Sequence, residues 1–160
     1  MGTVGFDAGK RVKGRKRHVA VDSLGLPLAI VVVTGAQVQD NEPAAVALLF
    51  VRLRRMLQRA RRRLGRWPKL HEVSGDRMYR GTADMWAKHL GFSLRTVGRT
   101  AGRGFERLPK RWVIERSFAW FFNFRRLLFD LEYKLANSEG MLWLAGINLM
   151  LNRIWPRPAS

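Results

Sequence analysis

At 160 residues, with 47% hydrophobic and 11% aromatic side chains, the chain can bury the core of one domain, which excludes an intrinsically disordered protein. Thirty Lys and Arg against twelve Asp and Glu leave a formal charge of +18, an excess that repels itself in a compact state and points to a polyanionic partner. The absence of Cys excludes disulfides and thiolate metal sites and suits a reducing, cytoplasmic location.

The basic residues are spread over several segments rather than set beside one apolar helix, which favours nucleic acid over a membrane surface. The most apolar run, residues 141–151 (MLWLAGINLML), is too short to span a bilayer and carries Asn148, so it reads as a buried helix. Residues 1–17 are rich in Gly, Lys and Arg and lack the apolar stretch of a secretory signal, and the Gly-rich 1–14 read as an extended arm or an edge strand.

Residues 18–22 and 26–33 are apolar and β-branched, and the SLG between them makes a β-hairpin. Residues 36–41 could add a short third strand. Asn41 ahead of Glu42–Pro43 opens a helix that Gly65 can end. Its second half carries eight arginines between Arg52 and Arg66 with no acid to balance them, which suits a phosphate-facing surface as well as a solvated one. Residues 70–73 read as a strand followed by Asp76, 82–90 as a helix, 91–97 as a strand, and the Gly- and Arg-rich 98–107 as a loop. Pro109 opens a long helix to about residue 134, and Asn137–Ser138–Glu139 caps a last helix to about Ile154. A hairpin followed by alternating helices and strands implies an α/β fold, a mixed sheet with helices on its faces.

With so few acids, each one invites a reason. Asp22 ends the first strand and Asp76 follows a later one, so two strands of one sheet could set them side by side. Glu115 shares a helical stripe with Arg111, Phe118, Ala119, Phe122 and Arg126, which places it on the face packed against the sheet. An acid there is costly unless it is paired or bound to metal. Asp22 as a turn residue and Glu115 in a salt bridge to Arg111 remain alternative readings. Three convergent carboxylates would suit Mg²⁺ or Mn²⁺, because oxygen ligands favour hard cations, and such a site can activate water at a phosphodiester. His18, His71 and His89 have no metal-ligand spacing and read as structural or surface residues. The aromatic run Trp112, Phe118, Trp120, Phe121, Phe122 and Phe124 reads as core packing rather than base stacking.

Three blocks carry a resemblance to a known family. GFDAGKRVKGRKRHVAVDSLGLPLAIVVVTGAQVQD resembles the start of the catalytic domain of bacterial insertion-sequence DDE transposases; GDRMYRG resembles their second-acid block and RWVIERSFAWFFNFRRL their third. YKLANSEGMLWLAGINLML is similar to their tail. The resemblance implies a ribonuclease H-like fold with an extra C-terminal helix. It also implies Mg²⁺- or Mn²⁺-dependent cutting and joining of transposon DNA ends. Carried over by position, Asp22, Asp76 and Glu115 would be the catalytic, metal-binding triad. Arg111 matches the family's Arg before the Glu, Leu108 stands where related members have Tyr, and Phe122 where they have Lys, which leaves phosphate positioning to Arg125 or Arg126.

On this reading residues 1–17 form a basic arm, 18–134 the catalytic domain and 135–160 a C-terminal helix and tail. Arg15, Lys16, Arg17, Arg111, Arg116, Arg125 and Arg126 are expected to contact DNA. The partners implied are transposon ends and target DNA, a possible second copy of the chain, and an N-terminal DNA-binding segment, separate or joined by frameshifting. In a bacterial cell the protein would associate with the nucleoid. The alternatives are an inactive remnant that only binds DNA, and a generic RNA-binding or ribosome-associated protein, which would leave the three placed acids unexplained.

Overall fold

The computed structural model describes residues 4–7, 11–33, 43–66, 68, 70, 72–76, 79, 81–97, 111–129 and 131–156. Two short strands, β1 (Gly5–Asp7) and β2 (Val12–Gly14), pair antiparallel, the strand rather than the arm of the two expectations for this segment. β3 (Lys16–Val21) and β4 (Pro27–Val33) form the second, with His18 opposite Val31, Val19 opposite Ile30 and a register shift after Ala20. Pro27 stands at the first position of β4, where a missing N–H is tolerated.

The next elements are α1 (Pro43–Leu64), β5 (Glu72–Asp76), α2 (Thr82–Leu90) and β6 (Ser93–Val97), with β5 and β6 paired in parallel. Gly65, at φ 68°, follows the last residue of α1 in the left-handed conformation that ends helices. Asp76 is the last residue of β5 rather than a residue beyond it. The described strands therefore pair two by two, as three small sheets, and not as the single mixed sheet the element order implied. Side chains join the β3–β4 and β5–β6 pairs instead. The His18 ring and the Tyr79 hydroxyl share a 2.8 Å hydrogen bond, and Val73 and Leu94 pack on the core that holds Ala29 and Val31. The suggested strand at 36–41, the Asn41 cap and the 98–107 loop lie outside the described residues.

β4 is buried on both faces, which explains its unbroken apolar sequence. Ala29 and Val31 meet Val46, Leu49, Phe50 and Leu53 of α1, together with Phe92. Ile30 and Val32 meet Phe121, Leu127, Leu142 and Ala145 on the other side. The β3–β4 hairpin is thus the middle of three layers, with one core on each of its faces.

The helices on the Ile30–Val32 face depart from expectation. The helix expected over 109–134 is two: α3 (Arg111–Phe122) and the single turn α4 (Arg125–Leu128), separated by Phe124 in an extended conformation at φ −90° and ψ 111°. On one uninterrupted helix Phe121 and Leu127 would face different ways. The break lets both reach the same core. α5 (Leu135–Ile154) starts before the expected cap, with Lys134 at the cap position, and Ser138 is buried inside it. Its inner stripe, Ser138, Leu142, Ala145 and Gly146, is buried, whereas Leu144, Ile147, Leu151 and Ile154 are exposed, so the helix is not buried all round. Among the described residues no helix is long and apolar enough to cross a membrane.

Candidate active site

The turn that follows β3 is built by Asp22 itself. The N–H groups of Leu24 and Leu26 donate to Asp22 Oδ1 at 2.9 and 2.8 Å, and the Gly25 N–H donates to the Asp22 carbonyl at 3.0 Å. One carboxylate oxygen therefore serves the hairpin, in the manner Asp favours in turns. Oδ2 has no hydrogen-bond partner among the described residues. The side chain is held still by one oxygen and presents the other.

That turn is clamped onto α3. Ser117, fully buried, donates its hydroxyl to the Gly25 carbonyl (2.8 Å) or to the Val113 carbonyl (2.9 Å); it has one proton to give. Gly25 sits at φ +83°, and a Cβ there would meet Ser117 Oγ at 2.7 Å, so both conformation and space require glycine. Arg116 and Arg153 each donate to the Leu24 carbonyl at 3.0 Å. The Arg116 guanidinium also lies over Trp112 (4.4 Å) and Trp120 (4.7 Å), and Arg153 covers Trp120 at 5.0 Å. The first-acid and third-acid blocks are thereby brought together.

Glu115 is on α3, but not where the aromatic stripe suggested. The helix buries Val113, Ser117 and Phe121, while Glu115, two residues from Ser117 and nearly opposite on the helix, is exposed. The expectation of an acid facing the sheet is corrected; Glu115 faces outward, on the helix that holds the Asp22 turn. Asp76 ends β5, and its side chain lies outside the described residues, as do those of Arg111 and His71. The second block is tied to β3 through Tyr79, which packs over Gly75 and bonds His18. No group of three carboxylates or histidines spaced for a metal occurs among the described residues.

Several residues expected to contact DNA are committed elsewhere. Arg15 is buried, and it donates to the carbonyls of Glu132 (2.5 Å) and Tyr133 (2.9 Å). Arg17 donates to the Leu127 carbonyl at 3.0 Å. Strand alternation explains this: Arg15 and Arg17 fall on the side of β3 that faces α4 and the start of α5. Arg116 is stacked and bonded as described, Lys16 is half-buried, and Arg126 pairs with Glu132 at 2.7 Å. Arg125 is exposed, with no partner among the described residues.

A family model described as the transposase DDE domain matches residues 2–151. The chain belongs to that family. No curated protein and no solved structure matched it. DDE transposase domains act on DNA, as the charge of +18 also suggests, and generally use divalent metals. The donor chemistry of Asp22 fits such an ion, since it offers an oxygen on a carboxylate already fixed by two N–H groups, and oxygen ligands suit hard divalent cations. Ser117, Arg153 and the His18–Tyr79 bond were not foreseen as parts of this transposase domain. The sequence hint for Ser117 is a small hydroxyl within an otherwise bulky helix.

Proposed function

We propose that this chain is the strand-cleaving and strand-joining domain of an insertion-sequence transposase, with a ribonuclease H-like arrangement, residues 18–134 carrying the chemistry and 135–160 the C-terminal helix. The observation that carries the reading is the Asp22 carboxylate, fixed through Oδ1 at the end of β3 and held against α3, within a chain matched to the transposase DDE domain over residues 2–151.

Asp22, Asp76 and Glu115 would hold one or two Mg²⁺ or Mn²⁺ ions. Such ions, when bound, lower the pKa of water and neutralise charge on the phosphodiester. Water then attacks phosphorus at the element end, the bond to the 3′ oxygen breaks, and that oxygen leaves as a hydroxyl on gaining a proton. The freed 3′-hydroxyl attacks a target phosphodiester in the same way, losing its proton and displacing the target's own 3′ oxygen. The exposed Arg125, together with Arg111, would hold backbone phosphate, contacts that position DNA without reading sequence. A second copy of the chain would bring the two ends together.

Cleavage of end-containing DNA with Mg²⁺ or Mn²⁺ tests this, wild type beside Asp22→Asn, Asp76→Asn and Glu115→Gln. Loss of cutting in all three, with DNA binding kept, supports the triad. Cutting that survives all three refutes it. Salt-dependent binding by a wild type that never cuts favours an inactive, DNA-binding remnant.

A further inference from the structure

The C-terminal half of α1 presents a surface that the proposed chemistry does not use. Arg54, Arg55, Arg59, Arg62 and Arg63 are all exposed and make no hydrogen bond or ion pair among the described residues. Arg55, Arg59 and Arg62 follow one another at i, i+4 and i+7, which puts them in one line along the helix. That line runs along the side opposite Val46, Leu49, Phe50 and Leu53, which α1 buries against β4. Like charges at these spacings weaken a helix. Attraction between basic side chains and a helix C-terminus accounts for the final turn, Arg61–Arg63, but not for Arg55 and Arg59 farther back. α1 also packs on the face of the β3–β4 hairpin that carries Ala29 and Val31, whereas α3 and the Asp22 turn belong to the other layer.

From this we infer that the outer face of α1 is a second phosphate-binding surface, remote from the Asp22–α3 site, that holds the backbone of duplex DNA without reading its sequence. The inference rests on the reading of the chain as a DNA-acting transposase domain and adds a place where DNA lies away from the cut. From Arg55 to Arg62 the helix advances about 10 Å at 1.5 Å per residue, a length over which duplex DNA presents about six phosphate charges. A lipid surface fits less well. Helices that bind membranes insert an apolar face, and the apolar face of α1 is already spent on the core.

The test is the salt dependence of binding of the full chain to a short DNA duplex of arbitrary sequence, read by fluorescence anisotropy without divalent metal, between about 0.05 and 0.2 M NaCl. The slope of log K against log salt is negative, and each lost phosphate contact lowers its magnitude by about 0.9. Replacing Arg55, Arg59 and Arg62 together by Gln should therefore lower it by about 2.7, a loss of a few hundred-fold near 0.1 M salt. Replacement by Lys should keep the slope, and Arg55→Gln or Arg62→Gln alone should each take about 0.9 from it, which serves if the triple variant fails to fold by circular dichroism. A charge-matched control, Lys13→Gln with Lys88→Gln and Arg95→Gln, should lose much less. An unchanged slope in the α1 variants overturns the inference. So does an equal loss in the control, or a loss confined to phosphatidylserine vesicles with duplex binding intact. The assay contains no metal and no cutting, so failure of the Asp22, Asp76 and Glu115 chemistry would leave this result standing, and the reverse also holds.

Discussion

Gly25→Ala should destabilise the chain through the contact that fastens the Asp22 turn to α3. Gly25 holds φ +83°, where a side chain costs about 1–2 kcal/mol. The new methyl would lie 2.7 Å from Ser117 Oγ, so the hydroxyl must move and give up its bond to the Gly25 carbonyl. Leaving a buried acceptor unmet costs about 1–3 kcal/mol. Together these give roughly 2–5 kcal/mol. With a urea m-value of about 2 kcal/mol/M, the unfolding midpoint should fall by about 1–2.5 M. Ser117→Ala alone loses the same hydrogen bond and should cost about 1–2 kcal/mol. The two effects share one contact, so the double variant should be less destabilised than their sum by at least about 0.5 kcal/mol. Equilibrium urea denaturation of the four proteins reads the cycle. A Gly25→Ala midpoint close to wild type, or strict additivity, would refute the account of the turn.

Asp22→Asn should leave thermal stability nearly unchanged, because an Asn oxygen can still accept from Leu24 and Leu26, while removing any rise in melting temperature produced by Mn²⁺. Glu139→Ala should cost about 2 kcal/mol by urea unfolding, since Glu139 accepts from the Val32 N–H at 3.0 Å and pairs with Arg52 at 2.6 Å. Gly146→Ala should cost about 1–3 kcal/mol in the same assay, as its Cβ would come within 2.5 Å of Pro27 Cγ; an unchanged midpoint would show that α5 shifts freely on β4. Tyr79→Phe should cost about 1 kcal/mol through loss of the bond to His18, again by urea unfolding.

The parts of this fold that announce themselves in sequence are those where periodicity and punctuation agree. The β3–β4 hairpin is marked by two β-branched runs around Asp22 and Gly25, α1 by an apolar stripe ending at Gly65, and α2 by its length between breaks. The α3–α4 break is not legible, because RWVIERSFAWFFNFRRL is helix-like throughout and only the joint burial of Phe121 and Leu127 forces the turn. The same run misdirected the reading of Glu115. Large aromatic residues marked one stripe, whereas α3 buries the one through Val113, Ser117 and Phe121, in which small Ser117 is a poor signal of burial. Arg15, Arg17 and Arg116 looked like phosphate ligands because an arginine that meets a backbone carbonyl has the same sequence signature as one that meets DNA. For Asp22 the turn reading holds through Oδ1 and leaves Oδ2 for the proposed site.

The way β4 is bordered bears on how the protein stays dispersed. After Pro27, the run LAIVVV has the β-propensity and lack of charge that let exposed strands recruit copies of themselves into fibrous aggregates. On the edge away from β3, Arg52 of α1 donates to the Ile30 carbonyl and Glu139 of α5 accepts from the Val32 N–H, and the two side chains pair with each other. One ion pair thus occupies the backbone groups that an incoming strand would need, a form of edge protection by charge. Variants that break it should lose solubility during refolding sooner than their loss of stability alone would suggest.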